Sequence, residues 1–130
     1  MTTPVVWIVD DDPLVHFITK KMIRDIVPPE NVISFSNGKK AFEHISDNAN
    51  TPNQLPDIVL LDINMPYMNG IQFLESFGAI KPSLSKNITI YIVTSSINKT
   101  DINTTTNNPN VKAYINKPLD KRILQNIIKI

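Results

Sequence analysis

The 130-residue sequence is 42% hydrophobic, contains no cysteine and carries a formal net charge of +1, which predicts a single globular domain and excludes disulfides, thiolate catalysis and cysteine-ligated zinc. Lysine and arginine are scattered among the acidic residues, so we expect no nucleic-acid-binding face. Because no apolar segment reaches the roughly 18 to 20 residues of a membrane span and residues 1–10 do not resemble a signal peptide, we expect a cytoplasmic protein without membrane contact.

Short apolar runs alternate with helix-like segments along the chain. The runs are β-branched and continuous, which is typical of strands that are covered on both faces of a parallel sheet. The segments between them carry apolar residues at helical spacing. In chain order we predict a strand at residues 5–9, a helix at 13–27, a strand at 32–35, a helix at 39–45, a strand at 58–61, a helix at 71–80, a strand at 88–93, a strand at 113–115 and a helix at 119–130.

Two helical segments need separate comment. Residues 98–110 should supply the helix between the last two strands, but they are rich in Asn and Thr, which lower helix propensity, and offer mainly Ile102 to a core. We therefore predict a short or frayed helix there. The helix at 13–27 should stop at the two prolines that follow it, and it carries five apolar residues at helical spacing: Leu14, Phe17, Ile18, Met22 and Ile26.

The alternation of strands and helices predicts the fold class. Parallel neighbours need crossover connections, and these are almost always right-handed. The expected architecture is an α/β fold with a doubly wound, five-stranded parallel sheet flanked by helices on both faces. Binding sites in such sheets lie at the carboxyl ends of the strands, near the point where the strand order reverses.

Polar side chains follow four of the five predicted strands. Asp10 and Asp11 follow the first strand, Asp62 follows the third, Thr94 closes the fourth and Lys117 follows the fifth. We expect these groups to meet at one edge of the sheet. Clustered carboxylates without His or Cys favour a hard cation, and Mg²⁺ typically binds one or two carboxylates while leaving positions for phosphate oxygens.

Such a set of groups suits phosphoryl transfer to a carboxylate. An aspartate is normally ionised at neutral pH and can attack phosphorus without a general base. Asp62 would attack, and Mg²⁺, Lys117 and Thr94 would supply positive charge and a hydroxyl donor to the transferring group. The sequence therefore predicts an aspartyl phosphate.

Five motifs in order resemble the response-regulator receiver domains of the CheY-like family: VDD, LLDINMPYMNG, IVTSS, the aromatic Tyr114 and NKP. The resemblance runs from residue 6 to the end and implies one receiver domain over residues 1–130, with no output domain, as in stand-alone response regulators. It implies that Asp62 is the phosphoacceptor. It also implies that the Lys117–Pro118 bond is cis.

The resemblance also implies the metal ligands. Asp11 and Asp62 would bind Mg²⁺ through their side chains and Asn64 through its backbone carbonyl. Asp10 would act indirectly, through a bound water or by accepting a hydrogen bond from Lys117. The implied activity is phosphorylation from a phosphohistidine or a small phosphodonor, followed by autodephosphorylation, with no other enzymatic reaction.

Partners and a conformational switch follow from the same resemblance. The phosphodonor would be a sensor histidine kinase or a histidine phosphotransfer protein, and the output would be an unknown downstream protein. Phosphorylation would draw the Thr94 hydroxyl inward and let Tyr114 rotate into the space behind it. A phosphoryl group adds enough charge to bias a segment with two arrangements, and the weak helix at 98–110 is our candidate for that segment.

Competing interpretations concern the same residues. A haloacid-dehalogenase-like phosphatase would use Asp10 and Asp12, but Leu14 stands where that family has Thr or Val. A receiver-like module that is never phosphorylated would be favoured by loss of an acid, Thr94 or Lys117, and all are present. For Asp12 we predict a helix N-cap ahead of Pro13. We also predict surface positions for His16 and His44, a core position for Trp7 and a tight turn at Gly70.

Overall fold

The structure is a computed structural model that describes residues 3–128. Five strands and five helices alternate, joined in three places by short 3₁₀ turns at Pro29–Asn31, Pro52–Gln54 and Lys81–Ser83. In chain order the elements are β1 (Val6–Val9), α1 (Pro13–Ile23), β2 (Val32–Phe35), α2 (Gly38–Asp47), β3 (Ile58–Leu61), α3 (Gly70–Ile80), β4 (Thr89–Thr94), α4 (Lys99–Thr106), β5 (Val111–Asn116) and α5 (Lys121–Ile128).

The strands form one five-stranded sheet in the order β2-β1-β3-β4-β5, and every neighbouring pair is parallel. This is the predicted doubly wound sheet, and its strand order is that of the flavodoxin-like fold found in CheY-like domains. The strand order reverses between β1 and β3, where ligands bind in open α/β sheets. None of the helices within residues 3–128 is long and apolar enough to cross a membrane.

The core lies in two layers, one on each face of the sheet, because side chains alternate in direction along each strand. Trp7 and Val9 of β1 face the layer that includes α2 and α3, and Val6 and Ile8 face the layer that includes α1 and α5. All four side chains are buried. Strands covered on both sides must be apolar throughout, which is why β1 and β3 read as unbroken apolar runs.

Helix α1 differs from its prediction in length and in its buried face. It ends at Ile23 rather than at residue 27, because the N–H groups of Ile26 and Val27 both bond to the Ile23 carbonyl and close a turn before the prolines. Thr19 and Ile23 are its buried residues. Leu14 and Phe17 are 60% and 65% exposed, whereas Met22 and Ile26 pack against the core. Helical spacing therefore identified the helix but not which of its apolar residues are covered.

Helix α4 is short, as predicted, with eight residues. The Asn98 side chain caps it by accepting from the N–H groups of Thr100 and Asp101. Its buried residue is Thr105, whose hydroxyl donates to the Asp101 carbonyl at 2.8 Å, while Ile102 is only half-buried. Little apolar area is therefore buried to hold α4 against the sheet.

The remaining boundaries shift by one or two residues. Strand β4 runs one residue later than predicted, and β5 extends the predicted 113–115 on both sides. Helix α5 begins at Lys121 instead of residue 119. Residues 129 and 130 of that prediction lie outside the described residues.

Candidate functional site

Three carboxylates meet at the carboxyl edge of the sheet. Asp10 follows β1 and Asp62 follows β3, and the register of these neighbouring strands pairs Val9 with Leu61, so the two acids emerge side by side. Oxygens of Asp10, Asp11 and Asp62 all lie within 4.8 Å of one another. Asp10 and Asp62 are buried and Asp11 is exposed. The structure thus brings together the acids that the strand ends predicted.

Lys117 enters this cluster from the end of β5. Its Nζ donates to Asp10 Oδ2 at 2.7 Å and lies 3.4 Å from Asp62 Oδ2. Its backbone N–H donates to the Thr94 carbonyl at 3.0 Å, and the Lys117–Pro118 bond is cis, as the resemblance implied. Burial alone lowers the pKa of Lys117, but the hydrogen bond to Asp10 and the Asp62 charge outweigh it, so the pKa is raised.

The site carries more negative than positive charge. Burial raises the pKa of Asp10, and the hydrogen bonds from Lys117 and from the Asp12 N–H offset this only in part. The Asp12 N–H lies 2.9 Å from Asp10 Oδ1. One ammonium group faces three carboxylates whose oxygens converge, and oxygen ligands with excess negative charge suit a hard divalent cation. The residues present therefore fit Mg²⁺.

The loop after β3 is held close to Asp62. The Ile63 N–H donates to Asp62 Oδ1 at 2.7 Å, and the Gly70 N–H donates to the Ile63 carbonyl at 2.8 Å. A Cβ on Gly70 would collide with the Asp62 carbonyl oxygen and lie 2.9 Å from the Ile63 Cα. The φ of Gly70 is not positive, so its missing side chain serves the close approach of α3 to the Asp62 backbone rather than a left-handed conformation. Asn64 is exposed in this loop, and its carbonyl as a metal ligand stays a prediction.

Tyr67, in the same loop, was missed by sequence analysis. Its φ of 67° is the only positive value at a non-glycine residue among residues 3–128, and its side chain is 84% exposed. A bulky residue in the left-handed region is uncommon. No local sequence signal indicates this conformation, since glycine or asparagine is the usual residue there.

A chain of hydrogen bonds connects Thr94 to Tyr114 and to α4. Thr94 is fully buried at the end of β4, and its Oγ1 accepts from the Ser96 N–H at 3.2 Å. The Tyr114 hydroxyl donates to the Ser96 carbonyl at 2.7 Å, and the Ser96 hydroxyl donates to Asp101 at 2.9 Å. Burial raises the pKa of Tyr114, with further contributions from the charges of Asp101 and Asp62. Ser96 is thus the common neighbour of both predicted switch residues.

The two histidines are not surface residues, so that prediction was wrong. His44 is half-buried, and its ring packs edge-on against Trp7 with 5.1 Å between centroids. His16 is also half-buried, and its Nε2 lies 2.6 Å from the Asp10 carbonyl oxygen. Trp7 lies in the core, as predicted.

Asp12 lies beside the cluster but serves the helix. Its Oδ1 accepts from the Leu14 N–H at 2.9 Å, and Pro13 is the first residue of α1. This confirms the predicted N-cap. The carboxylates that converge are those of Asp10, Asp11 and Asp62, whereas the phosphatase alternative needs Asp10 and Asp12 to act together. The geometry favours the receiver interpretation.

An apolar surface adjoins the site. Leu14, Phe17 and Ile18 of α1 are exposed, and we call them the α1 face. A groove lined by Ile18 and Met22 continues to Lys117 and Pro118. A contiguous exposed apolar patch on a soluble domain typically marks an interaction site.

Comparison with known proteins agrees with this geometry. The family model described as "Response regulator receiver domain" matches residues 6–129. The nitrate/nitrite response regulator NarL of Escherichia coli K12 is 32% identical over 89 residues, which are 68% of this chain and 37% of NarL. The DNA-binding transcriptional regulator NtrC of Proteus hauseri is 32% identical over 80 residues, which are 61% of this chain and 15% of NtrC. The chain therefore spans less than half the length of these relatives.

A solved structure also resembles most of the chain. The two-component response regulator of Cytophaga hutchinsonii is 27% identical, with a TM-score of 0.78 over 94% of this chain and 91% of the other.

Proposed function

This chain belongs to the response regulator receiver domain family, and we propose that it accepts a phosphoryl group on Asp62 from a sensor histidine kinase or a histidine phosphotransfer protein. The observation that carries the proposal is the placement of the Asp62 carboxylate, which lies at the end of β3 between two acids and an ammonium group. Phosphoryl transfer depends mainly on position and on neutralisation of charge, and these are what the site provides.

The proposed reaction needs no general base. A carboxylate oxygen of Asp62 attacks phosphorus, the P–N bond of the donor phosphohistidine breaks, and the imidazole nitrogen leaves with the electron pair. Lys117, raised in pKa, remains cationic and attracts the phosphoryl oxygens. The Thr94 hydroxyl offers a donor on the β4 side. Asp11 and Asp62 would hold Mg²⁺ with the Asn64 carbonyl, and Asp10 would act indirectly. When bound, the ion would supply positive charge that stabilises the transferring group.

The proposed output is a change of surface shape at the end of β4. A phosphoryl group on Asp62 offers new acceptors for the Thr94 hydroxyl. Thr94 and Tyr114 both bond to Ser96, so movement of the hydroxyl changes the contacts of Tyr114 and α4. We propose that a downstream protein recognises this surface and that the chain acts as a stand-alone, cytoplasmic regulator.

We propose a protein rather than a nucleic acid as the output partner. The net charge of +1 and the mixing of lysine with acids give little of the counterion release that drives nucleic-acid binding. NtrC, described as DNA-binding, is far longer than its matched segment. A mobility-shift titration with duplex DNA, with and without phosphorylation, checks this point directly.

The phosphodonor is proposed to dock on the α1 face. A protein donor must bring its phosphohistidine over Asp62, so its surface has to cover the rim of the site. The groove that joins Ile18 to Lys117 makes the α1 face continuous with that rim. Central apolar anchors of this kind carry most of the free energy of protein association.

The test of the proposed function is Mg²⁺-dependent labelling by acetyl phosphate, followed by intact-protein mass spectrometry. Wild type should gain one phosphoryl group that alkaline treatment removes, and Asp62→Asn should gain none. Asp57→Asn is the matched control, because Asp57 pairs with Lys86 just before β3, at the amino end of the strand and away from the site. This variant should be labelled like wild type. An unlabelled wild type would favour the non-phosphorylated interaction module, and equal labelling of Asp62→Asn would remove Asp62 from its role.

A further inference from the structure

We propose that His16 is a positioning residue for the metal site, which holds the Asp10–Asp11 peptide so that the Asp11 carboxylate points into the cluster. The inference deepens the proposed function and rests on it. Its basis is the contact of His16 Nε2 with the Asp10 carbonyl oxygen at 2.6 Å. This contact spans six residues, from the first turn of α1 back to the end of β1.

The direction of the hydrogen bond follows from its partners. A carbonyl oxygen can only accept, so His16 Nε2 carries the proton. Nδ1 is buried and has no hydrogen-bond partner among residues 3–128. The Nε2 contact is therefore what orients the ring, since a flipped ring would place a carbon against the Asp10 oxygen.

The Asp10 residue is held on every side. Its N–H donates to the Phe35 carbonyl at 3.0 Å. Its carboxylate accepts from the Asp12 N–H at 2.9 Å and from Lys117 at 2.7 Å. These contacts fix the Asp10 side chain and the strand end. The remaining group, the carbonyl, is fixed by His16.

The carbonyl contact bears on Asp11 more than on Asp10. The Asp10 C=O and the Asp11 N–H belong to one planar peptide, so the rotation of that plane sets where the Asp11 Cβ points. Asp11 is exposed, whereas the other two acids are buried, and it therefore has the least packing to orient it. Partners behind a metal ligand commonly change metal affinity by about 10- to 100-fold when they are removed.

A purely structural role and a positioning role for His16 predict different effects of leucine and glutamine at this position. If the ring only fills space on α1, a leucine should serve equally well, and it would also remove the buried Nδ1 that lacks a partner. If the Nε2–H bond positions Asp11, leucine should fail and glutamine should serve, because the glutamine amide carries an N–H donor at the same number of bonds from Cβ.

The test measures Mg²⁺ binding by calorimetry on the full chain for wild type, His16→Leu and His16→Gln. We expect His16→Leu to raise the Mg²⁺ Kd by about tenfold, at the lower end of the range for outer partners of metal ligands, and His16→Gln to stay within about threefold of wild type. His44→Leu is the matched control, because His44 is also half-buried and its ring packs on Trp7 away from the cluster; its Kd should not change.

A second readout does not depend on metal. In the Mg²⁺-free protein, the NMR order parameter of the Asp11 amide should fall in His16→Leu and recover in His16→Gln. Equal Mg²⁺ affinity and equal Asp11 order in His16→Leu and wild type would overturn the positioning role. If wild type itself binds no Mg²⁺, the proposed metal site fails, while the Asp11 order parameter still reports whether His16 fixes the peptide.

Discussion

Removal of the Asp11 charge should stabilise the metal-free protein while it abolishes Mg²⁺ binding. Asp11 has carboxylate oxygens of Asp10 and Asp62 within 4.8 Å. Two like charges at that separation repel by about 1 kcal/mol in a water-like environment, and by about 3.5 kcal/mol at an effective dielectric of 20. Asp11 is exposed and Lys117 offsets part of the repulsion. We therefore take about 1 kcal/mol as the total repulsion between Asp11 and the other two carboxylates. Asp11→Asn should then raise the free energy of unfolding by about 1 kcal/mol.

The assay is thermal unfolding in the presence of EDTA and, separately, of Mg²⁺. Without metal, Asp11→Asn should melt about 3 to 5 °C above wild type for a chain of this size. With Mg²⁺ at 100 times its Kd, wild type should gain about 2.7 kcal/mol because the ion binds only the folded state. Asp11→Asn should gain almost nothing, so wild type should become the more stable of the two proteins in Mg²⁺.

Asp12→Asn is the matched control, since it removes the same charge one residue further along. Its side chain caps α1 at the Leu14 N–H, and asparagine caps as well as aspartate. We expect Asp12→Asn to lower the free energy of unfolding by no more than about 0.5 kcal/mol, because an anion at a helix N-terminus is lost. The stabilisation of the protein by Mg²⁺ should be fully retained. Destabilisation by Asp11→Asn without metal, or an undiminished Mg²⁺ shift in that variant, would refute the reasoning.

Two further predictions test the docking face and the switch region. Phe17→Ala should slow phosphoryl transfer from a purified, phosphorylated histidine phosphotransfer domain by roughly tenfold, as loss of one interface anchor does, while labelling by acetyl phosphate stays unchanged. Ile33→Ala is the control, because it also alters a partly exposed apolar residue, and it should slow neither reaction. Equal slowing of both reactions by Phe17→Ala would contradict docking on the α1 face. Burial and the charges of Asp101 and Asp62 raise the pKa of Tyr114. An ultraviolet difference titration between wild type and Tyr114→Phe should therefore show a phenol that ionises above pH 10, and Asp101→Asn should lower the pKa of that phenol. Because the folded state holds this proton more tightly than the unfolded chain, the free energy of unfolding should fall as the pH rises above about 10, and an unshifted titration in Asp101→Asn would contradict the proximity.

The sheet and the acidic cluster were predictable because both depend on chain connectivity. Continuous apolar runs joined by long crossovers allow few arrangements, and a parallel arrangement carries the residues after β1, β3 and β5 to one edge. Asp10, Asp62 and Lys117 then meet whatever the details of packing. The roles of these groups were inferred from residue type and from the family resemblance, and labelling with acetyl phosphate tests them.

The features that sequence analysis missed depend on contacts between elements. The spacing of Leu14 and Phe17 identifies a helix but does not say how much of its apolar surface the sheet and α5 can cover. The bond from His16 to the Asp10 carbonyl depends on the angle at which α1 leaves β1, and the packing of His44 depends on Trp7. Gly70 reads as a turn residue in sequence, and only the structure shows that its missing side chain makes room for the Asp62 backbone.

The two sides of the site differ in how firmly they are held, and this difference predicts which segment would move if Asp62 were phosphorylated. On the β1 and β3 side, Asp62 is buried and its backbone packs closely against Gly70 at the start of α3. On the β4 side, the loop is tied through hydrogen bonds that share Ser96, and α4 buries little beyond Thr105. Local opening follows the parts of a protein with few buried apolar contacts. Charge added at Asp62 should therefore rearrange the β4 loop and α4 before it disturbs the strands that hold the acceptor.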